Sequence, residues 1–266
     1  MKEEEAGGHW YSREGRPCHS IAKKDGKGSR PVNMRWDRAL CLVPSVTTVL
    51  SIINKHNLNV WKENQMILAA LTLTRKELED DADFCKRVRT DAFAEVVVAA
   101  DVGTLVHNAI ECQFEGKDYD QQWSPYVAGV MEEIRNLYPR INDWVAEKSF
   151  AHQLGFGGCC DLHSPSTGVL IDFKGKDGDF SDNKGLAFDQ YIQLAAYGDG
   201  LSLPLSECAN IFFSRSHPGV VKSVVWDKKQ IAQGKRIFHA ALTLWKELKG
   251  YNPSFVKQQP EHPTFL

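Results

Sequence analysis

The sequence has no C-x-x-C pair, no apolar run of membrane-spanning length and no surplus of charge of either sign. Each absence removes a class of protein. The seven cysteines lie scattered at Cys18, Cys41, Cys85, Cys112, Cys159, Cys160 and Cys208. An odd count without paired spacing gives no disulfide framework, and the vicinal Cys159-Cys160 is a poor bridge, so free thiols in a reducing compartment are expected. No segment has the length and apolarity of a membrane span, and the start Met1-Lys-Glu-Glu-Glu-Ala-Gly-Gly8 does not read as a signal peptide. The expected setting is cytoplasmic, in a cell or in the host of a virus, with no membrane partner. Against 34 Asp and Glu stand 32 Lys and Arg, a formal charge of −2. That balance argues against a strongly basic coat protein for nucleic acid but leaves room for a local basic groove.

With 266 residues, 42% hydrophobic and 25% charged, the chain has an ordinary globular makeup, long enough for one sizeable domain or a core with an appended subdomain. Its chemistry concentrates in two short runs, Gly155-Phe-Gly-Gly-Cys-Cys-Asp-Leu-His163 and Gly168-Val-Leu-Ile-Asp-Phe-Lys-Gly-Lys176. The turn-forming Ser164-Pro-Ser-Thr-Gly168 separates them, which predicts a β-hairpin. Asp172 and Lys174 are two residues apart and leave the same strand face, with Lys176 on that side too. A tight turn sets Asp161 roughly opposite Asp172. Two carboxylates this close resist ionising together unless a cation lies between them. Hard oxygen ligands suit Mg²⁺ or Mn²⁺. A lysine beside them is placed to orient or deprotonate a water. These are the parts of metal-assisted phosphodiester hydrolysis.

The flanks divide by pattern. Residues 1–43 form an N-terminal arm, its first eight residues disordered and the rest partly irregular, with Trp10, Tyr11 and several basic residues. Such an arm can cap the core or touch nucleic acid by stacking and phosphate contacts. Residues 44–140 are helical. Ser45 is an N-cap ahead of Val46, Val49, Leu50 and Ile53 at helical spacing. A second helix is expected from about Val60 to Leu73, and an exposed helix or linker from Arg75 to Arg89. In Ala99 to Glu111, Val102, Leu105, Val106 and Ile110 form an apolar face and Gly103 allows close approach to a neighbour. Trp123 to Tyr138 is helical and stops before Pro139. Residues 141–250 alternate strand and helix. Trp144 to Phe150 is a strand carrying Glu147, which can point at the acid patch or at solvent. Leu186 to Gly198 is helical, Glu207 to Ser216 and Gly219 to Trp226 are strands, and Lys228 to Lys249 is a helix burying Ile231, Ile237, Phe238, Ala241, Leu244, Trp245 and Leu248. Residues 251–266 are an irregular tail. The whole is expected to be one structural unit.

Four short motifs then fall in one order along the chain: Gly103-Thr104-Leu105-Val106-His107, Gly158-Cys-Cys-Asp161, Asp172-Phe173-Lys174, and Gln193-Leu-Ala-Ala-Tyr197. This order resembles the PD-(D/E)XK nuclease superfamily, and within it the RecB-type exonucleases of phages and of mitochondrial genome maintenance. The resemblance covers roughly Pro44 to Trp226. It implies an α/β fold, a central mixed β-sheet flanked by helices (the restriction-endonuclease-like core), here with a helical N-terminal region. It implies that His107, Asp161, Asp172 and the Phe173 carbonyl hold one or two divalent ions, Mg²⁺ or Mn²⁺, with Glu147 a further possible ligand. His107 taken alone reads as a packed core residue. Lys174 would be the catalytic lysine, and Gln193 and Tyr197, on one helix face, would hold phosphate or order the water and lysine. Gly175 and Lys176 depart from the family's usual Thr after that lysine, so Lys176 can share the role. Clustered family members place three cysteines near the C-terminus. Here the last is Cys208, so no iron–sulfur cluster is expected. The implied activity is a DNA exonuclease on single strands or free ends, in replication, recombination or repair, leaving 5′-phosphate and 3′-hydroxyl ends. A sequence- or structure-specific endonuclease of the same fold, or a non-catalytic nucleic-acid-binding protein, are the alternatives.

Overall fold

The computed structural model describes residues 8–23, 26–32, 38–181, 189–205 and 207–255. The first residues of the arm, the end of the loop at 182–184 with the start of the helix expected from Leu186, and most of the tail lie outside the described residues. Five strands form the central sheet: β5 (Val145–His152), β6 (Phe156–His163), β7 (Leu170–Lys176), β8 (Cys208–Ser214) and β9 (Val221–Trp226). They lie in sequence order, with β7 and β8 parallel and the other pairs antiparallel. The sheet is therefore mixed, as expected. The parallel pair needs a crossover, and α6 (Gln190–Gly200) supplies its helical part.

Alternation along the strands feeds two cores. On one face Phe156, Cys160, Leu170, Cys208 and Trp226 pack with α6, with α7 (Lys228–Lys249) and with the short α1 (Val46–Leu50). On the other face Leu162, Ile171, Phe173, Ile211 and Phe213 pack with α4 (Ala94–Glu115) and α5 (Ser124–Leu137). Between α1 and α4 stand α2 (His56–Thr72) and α3 (Asp81–Ala92). No single helix among the described residues is long and apolar enough to cross a membrane.

Local signals explain most boundaries. Ser45 Oγ accepts the Thr48 N–H at 2.9 Å and starts α1; Asp227 and Gln230 form a reciprocal capping box at the head of α7, so both starts follow from their sequence. The arm carries short regular pairs: β1 (Trp10–Tyr11) pairs with β4 (Val43–Pro44), and β2 (Ser20–Ala22) with β3 (Ser29–Pro31). Trp10 is buried against Trp245, with ring centroids 6.2 Å apart, so aromatics anchor the arm on the core. Some expectations fail. A Cβ at Gly103 would meet nothing within 4 Å among the described residues, so no close approach to a neighbour is made there among them. Leu105, Leu244 and Leu248 are exposed, because the apolar stripe of each helix is wider than the surface that covers it.

Candidate active site

The hairpin's ladder is short. β6 and β7 pair at Leu162–Ile171 and His163–Leu170, and the next rank would join Asp161 to Asp172. Instead, the Phe173 N–H donates to Asp161 Oδ2 at 2.7 Å. The strands fork there. Cys160 belongs to one core and Leu162 to the other, so β6 shifts its facing across Asp161. Its neighbour β5 is distorted at the same rank. The pairs Ala146–Leu162 and Lys148–Cys160 set Glu147 opposite Asp161, and Glu147 has φ +47°, a left-handed backbone that non-glycine residues seldom adopt in a strand. A bulge-like distortion of this kind re-aims side chains at a sheet's functional edge.

Into the fork come side chains from both helical layers. From α6, Gln193 Nε2 reaches Asp172 Oδ1 at 3.3 Å and Tyr197 Oη at 2.8 Å. From α4 on the opposite face, His107 Nδ1 lies 3.7 Å from Asp161 Oδ2. The imidazole meets Phe173 and Phe213 edge-on, centroids 6.0 and 5.7 Å away. Tyr197 fits because β6 has Gly158 below it: a Cβ there would stand 2.8 Å from the tyrosine ring. The structure thus gathers Asp161, Asp172, Lys174, His107, Gln193 and Tyr197 around one point.

Asp172 is buried, and its charge is balanced within the site. Lys174 Nζ lies 2.7 Å from each carboxylate oxygen, and Asn210 Nδ2 donates to Oδ2 at 2.7 Å. Asn210, directly across on β8, in turn accepts from the Trp226 indole at 2.8 Å. Asn210 and Trp226 are the residues that motif reading misses. Their signal is a lone amide in the apolar strand Cys208-Ala-Asn-Ile-Phe-Phe213, since a buried amide needs a partner. Lys176 does not join the group. Its ammonium lies 5.1 Å over the Phe212 ring, so Asp172 is served by Lys174.

Asp161 is less well compensated. Burial and the adjacent Asp172 push its carboxyl up to about 7, against the pull of Lys174 and the Phe173 N–H. Burial alone would lower the Lys174 ammonium, but Asp172 and Asp161 outweigh it and hold it above its ordinary value. His107 is pushed down by burial, then by Lys174, and so is a neutral imidazole at neutral pH; its approach to Asp161 is not an ion pair. Burial also raises the Glu147 carboxyl, despite the Cys159 thiol donating to it at 3.1 Å, with Asp161 and Glu111 adding negative charge.

Among the described residues, no group of three or more His, Cys, Asp and Glu stands close enough to hold a metal ion as the side chains lie. The donor chemistry nevertheless fits a hard divalent cation. Asp161 and Asp172 are adjacent carboxylates, the first pushed up by burial and by the second, and the Phe173 main chain and a neutral imidazole lie beside them. Lys174 would have to yield part of its hold on Asp172 to admit the ion.

No protein-family model matches the chain, and no curated protein does. Solved structures similar to it include the protein SSO0001, 10% identical, covering 72% of this chain and 88% of that one at a TM-score of 0.31. A phage-related exonuclease from Haemophilus somnus 129PT is 15% identical over 66% of this chain and 90% of its own, at a TM-score of 0.31. An alkaline exonuclease from Laribacter hongkongensis is 12% identical over 72% and 98%, at 0.30. Two of these three are exonucleases, the class that the order of motifs resembles. At such TM-scores the likeness adds no support to the site, whose reading stands on its own geometry.

Proposed function

We propose that the protein is a divalent-metal-dependent nuclease that hydrolyses phosphodiester bonds in DNA, acting as an exonuclease on single strands or free ends. The observation that carries this reading is the forked hairpin, where two carboxylates and a lysine converge with an imidazole from one helical layer and a Gln–Tyr pair from the other. Asp161, Asp172 and the Phe173 carbonyl, with His107, would hold Mg²⁺ or Mn²⁺, which when bound supplies Lewis-acid polarisation of the phosphoryl group.

The chain's own residues do the rest. Lys174, held as an ammonium by the acids, orients the attacking water and meets charge developing on the phosphoryl oxygens. The water oxygen bonds to phosphorus as the bond to the 3′ oxygen breaks; the proton that the water loses passes to solvent, and the departing 3′ oxygen takes one up from solvent to become the 3′-hydroxyl. Asn210 fixes the plane of the Asp172 carboxylate through Oδ2. Gln193 and Tyr197, the phenol held neutral by burial, steady the opposite oxygen and the rim of the site. Digestion of end-labelled single- and double-stranded DNA with Mg²⁺, Mn²⁺ or EDTA tests the proposal. Short products only with metal are expected. Discrete long fragments would point to an endonuclease. No cleavage by wild-type protein under any metal would sink the nuclease reading. Lys174→Ala should abolish cleavage while leaving the circular-dichroism spectrum unchanged.

A further inference from the structure

A cleft of about 550 Å³ opens beside Gln193, between the end of α1 and the start of α2. A smaller space of about 140 Å³ continues it from Lys55 and Gln193 to Lys174. The outer wall is α2, of whose residues only Ala69 is buried. Its groove side carries Lys55 at its head and Lys62 two turns on, about 10.5 Å along the helix, with Asn54 and Asn59 beside them. Leu50 and Ile53 line the inner side of both spaces. Among the charged residues lining the two spaces are three lysines and a single carboxylate, Asp189, in a chain of net charge −2.

We infer that this cleft seats the stretch of single-stranded nucleic acid next to the bond being cut, with Lys55 and Lys62 on its phosphates and Leu50 and Ile53 against its bases. The inference rests on the nuclease reading above. A basic groove with apolar faces suits a strand whose bases are exposed, whereas a duplex offers mainly phosphates. The passage to Lys174 is narrow, which favours one strand over two. Asp189 bridges to Lys55 at 3.7 Å across the inner mouth. Both partners are well exposed, and such a pair is weak, so an arriving phosphate displaces it at little cost.

The test is the salt dependence of binding of a fluorescein-labelled oligothymidylate to the full chain in EDTA, read by anisotropy, with cleavage assayed separately. Each phosphate contact on a single strand contributes about 0.7 to the slope of log K against log salt. Lys55→Ala/Lys62→Ala should therefore flatten the slope by about 1.4, while Lys228→Ala/Lys235→Ala on α7 leaves it unchanged. Asp189→Asn should bind more tightly than wild type at low salt. An unchanged slope in the α2 variant, an equal loss in the α7 variant, or no binding of the single strand by wild type would overturn the assignment. Protein that binds with the expected slopes but never cleaves would sink the nuclease reading and leave the groove standing.

Discussion

Replacing Asp161 by Asn should make the protein more stable above neutral pH while removing its activity. The Asp161 side chain is 17% exposed and sits beside Asp172. Its carboxyl rises from 3.8 to about 7 on folding. The folded state therefore binds the proton more tightly than the unfolded chain. Between pH ~4 and ~7 the native state carries more protons, so stability falls as pH rises through that window, and above it the full penalty is present. At 1.36 kcal/mol per pKa unit, three units set a ceiling on the order of 4 kcal/mol. Asn keeps an oxygen for the Phe173 N–H and cannot ionise. Guanidinium unfolding in EDTA should give equal stabilities for the two proteins near pH 4. By pH 8 the variant should lead by a few kcal/mol. A difference that is flat with pH, or a variant weaker than wild type at pH 8, would refute the reasoning.

Asn210→Ala leaves the Trp226 indole without its acceptor inside the core and Asp172 Oδ2 with Lys174 alone, and urea unfolding should show a loss of about 1–3 kcal/mol; a loss below roughly 0.5 kcal/mol would mean the relay contributes nothing. Gly158→Ala drives a methyl against the Tyr197 and Phe150 rings, 2.8 and 3.0 Å away, and should lower the thermal midpoint by the equivalent of about 1–3 kcal/mol. An unchanged midpoint would place the Tyr197 ring elsewhere. Ser45→Ala removes the α1 cap and should cost about 1 kcal/mol in the same urea measurement.

Much of the fold is legible because period and punctuation agree. Lys228 to Lys249 is bounded by Asp227 and by Gly250 at φ +54°, and the sequence signals both ends. The hairpin is legible from its turn and from the apolar runs on either side. Its fork is not, because the face change at Asp161 and the left-handed Glu147 depend on three strands meeting. The exposure of Leu105 and Leu244 also escapes sequence reading: periodicity identifies a stripe but not how far a neighbour covers it. Within the site, Asp161, Asp172, Lys174, His107, Gln193 and Tyr197 can be singled out from motifs of charged and polar residues. Asn210 sits in a run that looks like core strand, and only the parallel pairing of β7 with β8 reveals what its amide is for.

One rank of polar side chains crosses this sheet, from Glu147 through Asp161 and Asp172 to Asn210. Charge is balanced unevenly along it. At the β8 end Asp172 has an ammonium and an amide, and the amide has an indole. At the β5 end Glu147 and Asp161 are both raised by burial and by other carboxylates, against the pull of Lys174 on Asp161, and burial keeps the nearby histidine neutral. A site meant only to be stable would gain by replacing those acids with apolar residues, since uncompensated buried charge costs several kcal/mol. The asymmetry has a physical use if positive charge arrives with the reaction. The deficit lies at Asp161 and not between Asp172 and Lys174, so under the proposed function an incoming cation would gain most at Asp161, and Lys174 would remain as the donor to the phosphoryl group.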